Sequence, residues 1–345
     1  MMENSAIRKS IACLIAGGSL SESEAAAAMH DVMENKATSA QIGAFLAALS
    51  IKGESVDEIT GLAKVMRKHA VTIDPGLTTL IDTCGTGGDG SHTFNISTTT
   101  AFVVAGAGVP VAKHGNRAAS SQCGSADVLE ALGVNINLRP DQVEESIRQV
   151  GMGFLFAQVF HGAMKHAAAP RRELGIRTVF NLLGPLANPA NANIQILGVY
   201  HRSLTALLAE VLGRLGVEEA YVVHGLDCLD EISISGPTQI SHLEKGQVKT
   251  YLVSPTDANL PCADRHHLIG GNALTNAQIT LNVLRGERGP CRDVVLLNAA
   301  AALIVAGAAH TLSEGVLLAA STIDSGLALQ TLYNLRDYSN GCSAA

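Results

Sequence analysis

The sequence predicts an α/β protein with a small all-helical N-terminal domain plus a larger α/β domain, whose mostly parallel central sheet is flanked by helices. Three observations carry this. Residues up to about 70 hold helix caps and helix-length apolar patterns but no strand-like run. From about residue 79, short apolar runs alternate with helical ones, as in a sheet whose strands are joined by crossover helices. Between the first such strand and its helix lie four glycines in six residues, Gly85-Thr86-Gly87-Gly88-Asp89-Gly90.

The chain has 345 residues, 47% of them hydrophobic and 3% aromatic, with no Trp. That is long enough for two domains, with cores built from Ala, Leu, Val and Ile. The net charge of −7 argues against a general nucleic-acid binder, which needs a basic surface. Seven cysteines (Cys13, Cys84, Cys123, Cys228, Cys262, Cys291 and Cys342) are scattered without a C-x-x-C pair. This fits reduced thiols in a cytoplasmic protein better than a disulfide framework or a zinc site. The N-terminus is not patterned as a signal peptide. The longest apolar run, residues 294–309, is interrupted by Asn298 and falls short of the roughly 20 residues of a membrane span.

Taken in order, residues 5–16 read as a first helix, stopped at Gly17-Gly18. Ser21 and Glu24 form a capping box opening a second helix through Met33, and a third spans residues 39–50. Ser55 with Glu58 opens a fourth, which ends on the basic Arg67-Lys68-His69. Asp74-Pro75-Gly76 is a turn and a domain boundary. So small a helical unit buries little surface alone, and it needs a second segment, a partner subunit or both. Strands are expected at 80–81, 109–112, 153–156, 194–200 and 220–224. Helices are expected at 97–107, 125–132, 141–150 (Pro140 in its first turn) and 204–215. Residues 231–253 suit an antiparallel excursion, the pairs Gly184-Pro185 and Asn188-Pro189 suit tight turns, and the tail from residue 276 is helical.

The glycine stretch reads as a phosphate-binding loop. Glycine leaves the backbone N–H open to a ligand, and a helix N-terminus follows. Gly85, Gly87 and Gly90 satisfy G-x-G-x-x-G letter for letter. The helix, however, opens only near Asn95, and no acid stands about 20 residues further on, so a dinucleotide site is not expected. A second cluster runs Lys113-His114-Gly115-Asn116-Arg117-Ala118-Ala119-Ser120-Ser121, then Gly124-Ser125, with Ser125 a candidate N-cap. It follows a predicted strand, where open α/β sheets bind ligands. Two such loops one strand-helix unit apart point to one ligand with more than one phosphate. Asp230 and Glu231 are adjacent carboxylates whose repulsion a shared Mg²⁺ would relieve. Arg171, in Arg171-Arg172-Glu173-Leu174-Gly175-Ile176-Arg177-Thr178, is placed to grip a carboxylate. His161 and His166 do not share a helix face and read as poor metal ligands. Singly, each feature has a plainer reading as a surface turn, a solvated basic loop, an exposed acidic turn or an arginine pair with Glu173.

Together, Gly85 to Asp89, Asn95-Ile96-Ser97-Thr98, Lys113 to Arg117, Gly124-Ser125-Ala126-Asp127, Arg171, Gly184-Pro185-Leu186 and Asp230-Glu231 resemble the anthranilate phosphoribosyltransferase family, in order along the chain. The resemblance implies a transferase of tryptophan biosynthesis that moves the phosphoribosyl group of 5-phosphoribosyl 1-pyrophosphate to the amine of anthranilate, with two Mg²⁺. It implies donor contacts from Gly85, Gly88, Asp89, Thr93, Asn95, Ile96, Ser97, Thr98, Lys113, His114, Gly115, Asn116, Arg117, Ala118, Ala119, Ser120, Ser121 and Ser125. Gly85, Asn116 and Arg171 would meet anthranilate, while Ser97 and Glu231 would hold one Mg²⁺ and Asp230 with Glu231 the second. No covalent intermediate or obligatory general base is expected. Residues 1–76 plus about 171–191 would form the small, dimer-forming domain, and 77–170 with 192–345 the large one. A cytoplasmic homodimer is implied, with no nucleic-acid or membrane partner. Four residues depart from or vary within the pattern: Cys228 where glycine is usual, Gln158 and Gly162 where prolines are expected, and Lys165 near the aromatic acid. Two rivals share the architecture. A pyrimidine nucleoside phosphorylase would not need Asp230-Glu231, and a non-catalytic nucleic-acid binder should be basic.

Overall fold

The computed structural model describes residues 5–118 and 122–341. Its first helices are α1 (Ala6–Ile15), α2 (Glu22–Met33), α3 (Ser39–Lys52) and α4 (Val56–Lys68). The last three begin where their caps dictate. Ser21, Thr38 and Ser55 each accept from the backbone N–H three residues on, while Glu24, Gln41 and Glu58 reach back to the cap N–H. Glu58 does more than cap. Fully buried, it also takes Leu20 N at 2.9 Å and the Lys52 ammonium at 2.8 Å, so its charge is compensated.

Among the described residues, seven strands form one sheet in the order β3-β2-β1-β4-β5-β6-β7. They are β1 (Ile81–Gly85), β2 (Val111–Gly115), β3 (Met152–Phe156), β4 (Ile194–Gly198), β5 (Glu219–Gly225), β6 (Thr238–Glu244) and β7 (Gln247–Val253). The first five pair in parallel, and β6 and β7 extend the sheet as the expected antiparallel hairpin. Crossover helices α5 (Ile96–Gly106), α6 (Ser125–Ala131), α7 (Pro140–Val150), α8 (Ala157–Phe160), α9 (Lys165–Leu174), α10 (Phe180–Leu186) and α11 (Leu204–Arg214) join the parallel strands. The chain closes with α12 (Ala273–Leu284), α13 (Pro290–Val305), α14 (Leu312–Asp324) and α15 (Leu327–Gly341). No single described helix is long and apolar enough to cross a membrane.

The sheet feeds two large cores and a smaller one, in which Ala112 and Leu155 pack with Val143 and Ile147 of the helix before β3. Ile81, Val111, Ile194, Ile196, Tyr221 and Val223 pack with α5 and α13. Cys84, Leu197, Ala220 and Val222 share a core with α1–α4 and with Ala167, Val179, Phe180, Leu182, Leu183 and Leu186. So the chain supplies its helical unit with the second segment it needed, and those contacts already begin at Ala167.

Three sequence expectations shift. First, β2 runs on through His114 because its parallel ladder with β3 continues, so Lys113 and His114 are buried strand residues, not loop residues. Second, Gly124, not Ser125, caps α6. The Asp127 carboxylate takes the N–H groups of Gly124 and Ala118, and Ser125 is the first helical residue. Third, Gly184-Pro185 lies in the last turn of α10, held helical by the burial of Leu182, Leu183 and Leu186.

Candidate active site

In an open parallel sheet, ligands bind where the strand order switches direction, at the carboxyl ends of the strands. Here that point lies between β1 and β4, whose last residues Gly85 and Gly198 are paired. Gly198 must be glycine, and Gly85 leaves room for a Cβ only if Asp230 gives way. A Cβ on Gly198 would stand 1.6 Å from the Asp230 carbonyl oxygen, and one on Gly85 would stand 3.0 Å from Asp230 Oδ2. The acidic loop after β5 therefore lies directly over the two strand ends. It interlocks with the glycine loop: Gly87 N donates to Asp230 Oδ2 at 2.9 Å, and Asp230 N to Asp89 Oδ2 at 3.3 Å.

The α5 N-terminus closes this side. Ser97 N donates to Glu231 Oε1 at 3.1 Å. Burial pushes the Asp230 carboxyl up to about 7, with Asp89 adding to the effect, and it pushes Glu231 well up, with Asp230 next in weight. The buried Lys113 ammonium sits 2.5 Å from Thr83 O and 3.3 Å from Ser97 Oγ. An all-oxygen set of crowded carboxylates, short of positive charge, suits a hard dication such as Mg²⁺. Cys228 in this loop sits in the left-handed region at φ 75°. Cys228→Gly is expected to stabilise the fold by about 1 kcal/mol in urea unfolding.

The alternation of β2 sends His114 to the opposite face from Lys113. There it lines a cavity of about 520 Å³ with Cys84, Gly85, Asn116, His161, Lys165, Arg171, Phe180 and Pro185. The rings of His114 and His161 are 5.0 Å apart. Burial lowers them to about 3 and about 4, so both are neutral at ordinary pH. Unfolded, each would bind a proton near pH 6.5. Folding stability from this pair is thus complete above pH 6.5 and lost as pH falls toward 4 and 3, by up to about 1.4 kcal/mol per pH unit for each ring. A His114→Gln/His161→Gln variant is expected to lose less melting temperature than the parent between pH 6.5 and 4.

Arg171 stacks its guanidinium 4.9 Å over the Phe180 ring. It also lines a second cavity, of about 700 Å³, in which Gly88, Asp89 and Gly90 face Arg172 and Arg177. Arg177 donates to the Gly88 carbonyl and stacks 4.5 Å over Tyr200, clipping the glycine loop from outside. An aromatic-lined pocket and an arginine-walled cleft thus meet at one arginine.

The family described as "Glycosyl transferase family, a/b domain" matches residues 77–329, and its helical bundle domain matches residues 8–70. The anthranilate phosphoribosyltransferase of Moorella thermoacetica is 59% identical over 326 residues, covering 94% of this chain and 96% of its own. That of Acetivibrio thermocellus is 55% identical over 334 residues, covering 97% of each. This chain belongs to the anthranilate phosphoribosyltransferase family. Among solved structures, the Thermus thermophilus anthranilate phosphoribosyltransferase superposes with a TM-score of 0.92 at 43% identity, covering 98% of this chain and 100% of that one. The Saccharomyces cerevisiae enzyme in complex with PRPP and Mg gives 0.90 at 29% identity, with 99% of each chain covered.

For a member of the anthranilate phosphoribosyltransferase family, the expected residues fall into three groups. Gly85, Asn116 and Arg171 line the first cavity together, with His114 and Gly115. Gly88 and Asp89 line the second, while Ser97, Lys113, Asp230 and Glu231 form one interacting cluster. The rest stand back from both. Asn95 stands at the N-cap position of α5 without capping it, donating instead to Cys123 O and taking the Asn276 amide at 2.9 Å, and Thr93 bridges to Ile269. Ile96 and Thr98 are buried, and Ile96 N already donates to Phe94 O at 2.8 Å. Arg117 turns to Asp127 and Glu130, with Ala118 beside it, and Ser125 Oγ donates to Asn116 O. Ala119, Ser120 and Ser121 lie outside the described residues. Sequence reasoning missed Phe180, Arg177 and Tyr200, and weighed His161 only as a metal ligand. Arg177 carried a signal, the arginine pair of R-x-E-L-G-x-R-T; the others do not differ in pattern from core residues.

Proposed function

We propose that the protein transfers the 5-phosphoribosyl group of 5-phosphoribosyl 1-pyrophosphate to the amine of anthranilate. The products are N-(5-phosphoribosyl)anthranilate and pyrophosphate, in tryptophan biosynthesis. The observation that carries this is Arg171, which lines both the aromatic pocket and the cleft beside the glycine loop. Its guanidinium would hold the anthranilate carboxylate in bidentate fashion while Phe180 fixes its plane. Asn116 and Gly85 would complete the acceptor site, directing the amine toward C1 of the ribose.

The C1–oxygen bond to pyrophosphate breaks, the C1–nitrogen bond forms, and the amine loses a proton to solvent. Positive charge develops on the sugar and negative charge on the leaving group. Backbone N–H groups of the glycine loop and of the α5 N-terminus would cradle the leaving group, with Gly87 N and Ser97 N turning to it from Asp230 and Glu231. Ser97, Asp230 and Glu231 would hold Mg²⁺, which when bound supplies positive charge to the departing pyrophosphate. Holding both substrates in a closed cleft excludes water, which would otherwise hydrolyse the donor. Pyrophosphate release should require anthranilate, and release at an equal rate without it overturns this reading. The nucleoside phosphorylase alternative predicts phosphorolysis of thymidine or uridine instead.

We infer further that residues 1–76 with about 171–191 form the small domain, and 77–170 with 192–345 the large one. The core shared by α1–α4 and Val179–Ala187 supports this. A cytoplasmic homodimer through the helical domain is proposed; exposed Ile15 and Ile51, at the ends of the packed helices α1 and α3, support it. A monomer mass by sedimentation would rule the dimer out.

A further inference from the structure

Far along the sequence from the glycine loop, α2 and α4 end side by side. The last turn of α2 carries His30, its C-cap is Glu34, and the C-cap of α4 is His69. Donor atoms of these three side chains all lie within 4.8 Å of one another. His30 Nδ1 is buried without a hydrogen-bond partner, 3.9 Å from Glu34 Oε1. A buried polar nitrogen left unpaired is costly, and native structures seldom leave one without cause.

The other two side chains are oriented by their surroundings. His69 Nδ1 lies 3.0 Å from the Val65 carbonyl oxygen. A carbonyl only accepts, so Nδ1 carries a proton, and in the neutral tautomer the lone pair is on Nε2. This is the arrangement of a metal-binding histidine, whose second nitrogen donates to a backbone carbonyl. Glu34 Oε2 is held by the Lys36 ammonium at 2.5 Å, which turns Oε1 toward His30. Burial, then His69 and Lys68, lower the proton affinity of His30, in the direction that favours the neutral imidazole a metal takes. The carbonyl ends of two helices point at the same place and favour a cation, while Lys36 and Lys68 oppose it.

We propose that His30, Glu34 and His69 form a binding site for a transition-metal dication of the zinc class, separate from the Mg²⁺ cluster. Two imidazole nitrogens and one carboxylate oxygen select such an ion over Mg²⁺, which prefers oxygen throughout. The side chains of His30 and Glu34 are 33% and 41% exposed, so an ion can enter and a fourth position stays open. The ion would clamp α2 to α4 just before the connector to the sheet, where Val71 N donates to Phe160 O and Ile73 N to Pro189 O.

The test uses the full chain without an affinity tag, stripped with chelator and titrated with Co²⁺ in saturating Mg²⁺. A visible ligand-field band saturating at one equivalent is expected, displaced by Zn²⁺, with a Zn²⁺-dependent rise in melting temperature. His30→Gln and His69→Asn should each weaken Co²⁺ binding by more than the roughly 10–100-fold that loss of a supporting hydrogen bond costs. Glu34→Gln should weaken it about 10-fold. Among the described residues the exposed Cys228 and Cys262 are the competing thiols, and a variant with these two and Cys342 changed to Ser should keep the band. No band, or a band undiminished in both histidine variants, overturns the proposal. So does one lost with the cysteines. Far-UV circular dichroism confirms that each variant is folded before its result counts.

Discussion

Asp230→Asn combined with Glu231→Gln is expected to lower kcat/KM by about 10²–10³-fold at limiting Mg²⁺, with partial recovery as Mg²⁺ is raised. The reason is electrostatic. Both carboxyls are half-buried and crowded by Asp89, and burial pushes Asp230 up to about 7. Such a pair is held together at a cost unless positive charge arrives to share it. Neutral amides remove the demand for that charge along with the ligands for it, so the leaving pyrophosphate loses its counter-charge. The fold should survive, because the substitutions also remove like-charge repulsion. The measurement is initial rate against Mg²⁺ concentration. Full activity at limiting Mg²⁺ would take the metal away from these residues.

Arg171→Ala is expected to raise the KM for anthranilate by about 10²-fold while leaving that for the donor within a few-fold. Truncating one partner of a desolvated charge pair costs about 2–5 kcal/mol, and half-buried Arg171 makes no ion pair with a carboxylate among the described residues. Its guanidinium is stacked on Phe180 and is therefore already positioned before the ligand arrives. Arg171→Lys should recover part of the loss, since it keeps the charge but not the bidentate fork. An unchanged anthranilate KM in Arg171→Ala would remove the gripping role.

Much of this was legible in the sequence where a local rule forces the outcome. Capping boxes at Ser21 and Ser55 placed the helices, and Gly85 to Gly90 marked the loop over the sheet. What failed was legible only through pairing. Lys113 and His114 look like one basic loop, yet the ladder with β3 carries them into the sheet. The two-residue period then sends one to the acidic cluster and the other to the aromatic pocket. Likewise nothing local shows that the Gly198 position must lack a Cβ, because the atom it would strike belongs to Asp230. His30 and His69 are separated by a whole helix pair and meet only because α2 packs on α4.

In the proposed reaction one cleft binds anthranilate against Arg171 and the donor against the glycine loop, and joins them. The direct test is anthranilate fluorescence in the presence of the purified protein, on adding 5-phosphoribosyl 1-pyrophosphate and Mg²⁺. A progressive loss of that fluorescence is expected, requiring donor, Mg²⁺ and Arg171 together. Fluorescence that stays constant with all three present would contradict it.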